Sequence, residues 1–338
     1  MQFLNIKNRI QSFVLVLLAC LACPPSAQGR TIARLVWQDD ASASVYCADL
    51  NKTADGWSLD NHTIEGMPAI DEAEQSLVQM QHHDGMLVVG VRDVDEGEIA
   101  SGWFAIETGV VEEPHGDHSH WYFKEQPRVV RTMIDQSQGN PAHVYRYDNT
   151  FVLANDKLNG FTLTSPRQIR QAGVTGQAST FHSGGNGHIT LAVVPDRVAY
   201  ATWIAPAGEH SGRVDVIGLG ANQGESYSIT CPTGMLHGAA LVSGKAFFAP
   251  ADGVCWVAVD QNLEHDPESV SVHHLSLGHD EDDQPLRTGA FTPLDNHLIF
   301  TAGDGNASKL CWIDASCPLK WTPIFGPRVK IEKSCFDR

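Results

Sequence analysis

Short apolar or alternating runs, separated by Gly, Asn and Asp turns, recur along the chain from Ile32 onward. They span Ile32–Trp37, Met86–Val91, Val144–Tyr147, Phe151–Ala154, Ile189–Val194, Val198–Ile204, Lys245–Ala249, Cys255–Val259, His297–Thr301 and Leu310–Ile313. Runs of this length, rich in β-branched and aromatic residues, predict strands. Asp84-Gly85, Asp196-Arg197, Ser243-Gly244 and Asp295-Asn296 stand between runs as hairpin turns. No segment has the period of a long amphipathic helix, and no helix–strand alternation suggests a parallel sheet. The pattern predicts an all-β protein.

Aligning these turns exposes a weak repeat. Asp84-Gly85-Met86-Leu87-Val88-Val89 lines up with Ser243-Gly244-Lys245-Ala246-Phe247-Phe248 and with Asp295-Asn296-His297-Leu298-Ile299-Phe300. Comparable strands recur every roughly 40 to 55 residues, the period of propeller blades. The expectation is a single β-propeller of six to eight blades, centred on seven, over residues 30–338. Its ends would be joined by strand pairing and a disulfide. Two segments look like protruding loops, Glu112–Pro127 and Glu264–Asp283.

The first 29 residues have the form of an export signal. Lys7 and Arg9 precede the apolar stretch Phe13–Ala22, which is too short to span a bilayer, and Ala27-Gln28-Gly29 offers a cleavage site. The alternative is a lipobox at Leu17-Leu18-Ala19-Cys20, which would leave Cys20 lipidated in place of simple release. Losing Lys7 and Arg9 takes the net charge from −17 to −19. Such a surface repels nucleic acid and attracts cations. Of the 8 cysteines, Cys20 and Cys23 fall in the leader. The remaining Cys47, Cys231, Cys255, Cys311, Cys317 and Cys335 suit disulfides in an exported protein. Of about 15 pairings open to six cysteines, the expected set is 231–255, 311–317 and 47–335.

Candidate chemistry concentrates in His115-Gly116-Asp117-His118-Ser119-His120, which places three imidazoles and a carboxylate together after Glu112-Glu113-Pro114. Imidazole nitrogen and carboxylate oxygen suit Zn²⁺, with Cu²⁺ and Ni²⁺ as competitors. In a strand His118 and His120 would share a face. Further histidines precede successive apolar runs: His143 before Val144, His182 in Phe181-His182-Ser183-Gly184, and His237 in Leu236-His237-Gly238. In a propeller such positions converge on one axis, as a multi-imidazole site requires.

These residues resemble the periplasmic zinc metallochaperones of the AztD type. The resemblance rests on Glu113–His120 followed by Trp121-Tyr122, on Pro141-Ala142-His143-Val144, on Cys231-Pro232-Thr233-Gly234-Met235-Leu236-His237-Gly238, and on Arg287-Thr288-Gly289. The chain departs from the family in having Ala239 after His-Gly, Cys255 in place of a cysteine near Ala249, and Phe181-His182-Ser183 where His-His-Gly is usual, with His188 as the rival ligand. The resemblance implies an exported β-propeller, expected to act as a monomer. It would bind zinc ions and deliver them to the solute-binding protein of an ABC importer. His143, His182 and His237 would supply central ligands. His115, Asp117, His118 and His120 would complete that site or capture a second ion.

Two other readings compete. One is a metal-dependent hydrolase, since three histidines and an open position also describe catalytic zinc. The chain lacks a Gly-x-Ser-x-Gly elbow, a His-Glu-x-x-His helix, a P-loop and a Gly-x-Gly-x-x-Gly turn, so no enzyme activity is expected. The other is an interaction scaffold without a metal function.

Overall fold

The computed structural model describes residues 29–94, 99–303, 308–316 and 321–323. The expected leader, with Cys20, lies outside them, as do Cys317 and Cys335. Among the described residues no helix is long and apolar enough to cross a membrane.

Every sheet is an antiparallel meander. The first holds β1 (Arg30–Asp39), β2 (Ser44–Thr53) and β3 (Gly56–His62). The second holds β4 (Gln75–His83), β5 (Met86–Asp93), β6 (Ser101–Glu107) and β9 (Arg128–Asp135). Between β6 and β9 the chain inserts a separate hairpin, β7 (Val110–His115) and β8 (His118–Phe123). The third sheet is β10 (Pro141–Tyr147), β11 (Thr150–Asn155), β12 (Gly160–Thr164) and β13 (Thr180–Ser183). The fourth is β14 (Leu191–Val194), β15 (Val198–Thr202), β16 (Arg213–Gly218) and β17 (Ser226–Thr230). The fifth is β18 (Ala239–Val242), β19 (Lys245–Phe248), β20 (Gly253–Ala258) and β21 (His273–Ser276). The sixth is β22 (Thr292–Leu294), β23 (His297–Ala302), β24 (Lys309–Asp314) and β25 (Trp321–Pro323).

Successive first strands therefore begin at residues 30, 75, 141, 191, 239 and 292, and the one long step is where the hairpin is inserted. The turn aligned in the sequence stands at the same place in the second to sixth sheets, between first and second strands. Asp84, Asp148, Asp196, Ser243 and Asp295 all hold left-handed backbone there, with φ of 49°, 50°, 58°, 49° and 50°. Short polar side chains tolerate that region better than bulky ones do.

Hydrophobic burial joins each sheet to the next. On β5, Leu87, Val89 and Val91 pack toward the first sheet, while Met86 and Val88 pack toward the third. On β11, Phe151 and Leu153 face the second sheet, and Val152 and Ala154 face the fourth. On β19, Ala246 and Phe248 face the fourth sheet and Phe247 the sixth. Strands covered on both faces need apolar residues at every position, which is why they appear as continuous runs in the sequence.

Several expectations are corrected. The segment 112–127 is not a loop, because the β7–β8 hairpin occupies most of it. Within 264–283, His273–Ser276 forms β21, the last strand of its sheet. A short helix, α1 (Pro166–Thr175), is inserted between β12 and β13; Ser165 caps it, with Oγ accepting from Gln168 N at 3.2 Å. The 231–255 bridge is not formed. Both residues are buried thiols in the core between the fourth and fifth sheets, and neither Cys47 nor Cys311 is bridged to another described cysteine. A hydrogen bond with Cys255 and burial hold the Cys231 thiol well above its ordinary pKa.

Candidate metal centre

Three imidazoles from three successive sheets converge. The ligand nitrogens of His143, His188 and His237 lie within 4.8 Å of one another, and all three residues are half-buried. His143 is on β10, next to a register shift between Pro141 and His143. Such a bulge re-aims the side chain beside it. His188 follows Gly187, whose φ is +71°, and precedes β14. His237 precedes β18, where its own N–H donates to Ala249 O at 2.9 Å.

The rings are oriented from behind. His188 Nδ1 donates to Asp156 Oδ2 at 3.1 Å, which leaves its Nε2 with a lone pair. Asp156 is itself fixed by Ile189 N at 3.1 Å and by Arg92 Nη1 at 3.1 Å. His237 Nδ1 donates to Gly289 O at 2.9 Å, so its Nε2 is also free to coordinate. A carboxylate or carbonyl behind an imidazole is the arrangement that sets the tautomer of a metal-ligating histidine. His143 Nε2 lies 2.8 Å from His188 Nε2, so without an ion these two nitrogens share a proton. Burial, and then the neighbouring His188 and His237, push the His143 pKa down to about 4. Its imidazole is therefore neutral, the form that binds metal. The donor set and its supports fit a Zn²⁺ ion with an open fourth position.

His182 is not brought to this cluster. It lies on β13, the fourth strand of its sheet, where its ring stacks on Phe161 at 5.5 Å and 18°. Gly184 to Gly187 separate β13 from the next first strand, so the position converging with His143 and His237 belongs to His188. Sequence reading left His188 as the rival and missed Asp156, whose signal was an acidic residue directly after the buried run Phe151–Asn155.

The second cluster is on the hairpin. A two-residue turn joins β7 to β8; of Gly116 and Asp117 only Gly116 has positive φ, +66°, the type II′ pattern. His115 pairs with His118 and Glu113 with His120, which puts all four on one face. The three imidazoles are exposed and their ligand nitrogens lie within 4.8 Å of one another. Asp117 is fully exposed in the turn, and its carboxylate accepts from His118 Nδ1 at 3.0 Å, which lowers its pKa. It backs His118 and does not join the imidazole group.

The two clusters occupy different levels of the second and third sheets. Strands β4 and β10 are side by side: Val144 N donates to Gln79 Oε1 at 3.1 Å, and Gln81 Nε2 donates to Val144 O at 3.2 Å. His143 is therefore level with the middle of β4. The hairpin roots at its far end, where Thr108 N donates to Gly85 O at 2.8 Å.

The four histidines of segment 264–283 form no such group. His273 stacks on Trp256 at 3.9 Å, His274 Nε2 bonds Asp252 Oδ1 at 2.9 Å, and His265 Nδ1 is 3.6 Å from Asp260.

No family model matches the chain, and no curated protein matches its sequence. Among solved structures its fold is similar to that of Citrobacter koseri AztD. The match has a TM-score of 0.57 and 15% identity, over 88% of this chain and 71% of that one. The apo form of that protein matches with a TM-score of 0.52 and 11% identity, over 88% of this chain and 72% of that one.

Proposed function

We propose that this protein is an exported zinc carrier: a β-propeller that binds Zn²⁺ at His143, His188 and His237 and passes it to a metal-receiving protein, the solute-binding component of an ABC importer. The observation that carries this reading is the central triad, with two of its three imidazoles held from behind by Asp156 and Gly289. The AztD-like fold and the motifs shared with that family point the same way.

His115, His118 and His120 form a second, more accessible zinc site on the hairpin, with Glu113 on the same face. His182 stands outside both sites, and Asp117 acts through His118. The reading includes export through residues 1–29, a monomeric carrier, and a propeller whose six described sheets close through pairing of the chain ends, with Cys47 and Cys335 bridged. The protein has no catalytic role in this account: the triad holds its ion as cargo.

Chelator competition separates the sites. Wild-type protein should hold about one zinc per triad. H143A/H188A/H237A should lose the tighter event, H115A/H118A/H120A the weaker one, and H182A neither. Unchanged tight binding in the central triple variant would refute the assignment.

A further inference from the structure

The β7–β8 hairpin is set at its tip by the two-residue turn, but nothing buried supports that register along its length. Nearly every residue of β7 and β8 is exposed, so no buried face selects the register. Register is what gives the cluster its chemistry, because side chains alternate faces. A slip of one residue would move a histidine of one strand away from its partners on the other. Cavities of about 400 Å³ and 410 Å³ border the hairpin root and share His82, Val110 and Trp121 as lining.

One side chain ties the root. Arg34, on β1 of the first sheet, places Nη1 against the carbonyl oxygens of both Thr108 and Glu125, the latter at 2.7 Å. These carbonyls flank the two legs of the hairpin. Its other two nitrogens grip Asp49, Nε to Oδ1 at 2.7 Å and Nη2 to Oδ2 at 3.0 Å. The Arg34 side chain is 4% exposed and that of Asp49 11%. His62 Nε2 lies 2.8 Å from Asp49 Oδ2. The planar fork of a guanidinium can hold a carboxylate and two carbonyls together, which an ammonium cannot. Gly109 closes the same root. Its carbonyl accepts from Lys124 N at 3.0 Å, and a Cβ there would lie 2.1 Å from Glu125 O.

We propose that Arg34, held by Asp49, is a positioning residue for the His115–His118–His120 site: it pins the two hairpin legs in the one register that puts three imidazoles on a common face. The proposal rests on the reading of that cluster as a zinc site. It makes a buried ion pair of the first sheet a determinant of metal capture by an insertion in the second.

The test uses full-length chain in the H143A/H188A/H237A background, so that zinc titration reports only the hairpin. Amide hydrogen exchange over residues 110–123 is read in the same samples without metal. R34A and R34K should each raise exchange in the hairpin and weaken its zinc affinity by about tenfold or more. A V110C/F123C disulfide, placed at a directly paired position, should restore affinity to R34A once oxidised, which a general loss of fold would not permit. R34K is the milder variant should R34A fold poorly. Unchanged exchange in both variants overturns the latch. Raised exchange with undiminished zinc affinity, or failure of the disulfide to rescue, overturns the positioning role. Should the hairpin bind no zinc even with Arg34 intact, the metal reading fails, and exchange alone then decides the latch.

Discussion

Asp156 is the residue on which the central site turns. Its two oxygens collect a backbone N–H, an arginine and the Nδ1 of His188, so it sets both the position and the tautomer of one ligand. Replacing it with asparagine keeps the shape and removes the charge. D156N should therefore weaken central zinc binding by about 10- to 100-fold, measured by chelator competition, with the fold intact by circular dichroism. His143 supplies a pH prediction. Its pKa falls from 6.5 in the unfolded chain to about 4 in the folded one, so the unfolded state takes up the proton first. Stability from this group is full above pH 6.5 and is lost as pH falls toward 4, by at most about 3 kcal/mol. Metal-free H143Q should show a flatter dependence of thermal stability on pH across that window. An equally steep curve in the variant would show that the loss arises elsewhere.

At the scale of elements, the sequence was most legible where burial is two-sided. Met86–Val91, Phe151–Ala154, Val198–Ile204 and Lys245–Ala249 coincide with β5, β11, β15 and β19 to within two residues at either end. All four are second strands, packed on both faces, so the hydrophobic signal is continuous. The outer strand β21 escaped notice because His273-His274-Leu275-Ser276 carries one apolar residue and is held by Trp256 and Asp252. The β7–β8 hairpin escaped for a related reason. Its register depends on a two-residue turn and on Arg34, some 70 residues upstream, and neither leaves a periodic trace. His182 was misplaced because β13, a short fourth strand, resembles the start of a first strand. Only the Gly184–Gly187 turn, which redirects the chain into β14, shows that His188 occupies the converging position.

Over the whole molecule, the proposed metal site and the architecture depend on each other. The third, fourth and fifth sheets each contribute one central imidazole, and these sheets are joined by cores that include Val152, Ile189 and Leu191 on one side and Tyr200, Leu236 and Phe248 on the other. No single sheet could bind a zinc ion at this site, so occupancy reports correct packing of three repeats. The hairpin cluster is built from one local element, so the proposed carrier would have a half-buried, oriented site and an open one. The most direct test of this account is the metal content of mature protein purified without a metal-affinity tag, measured by elemental analysis after dialysis against a weak chelator. The account predicts about one retained zinc per chain at the central triad, with the hairpin zinc stripped. Protein that retains no zinc, and takes up none stoichiometrically when it is offered, would contradict the carrier reading.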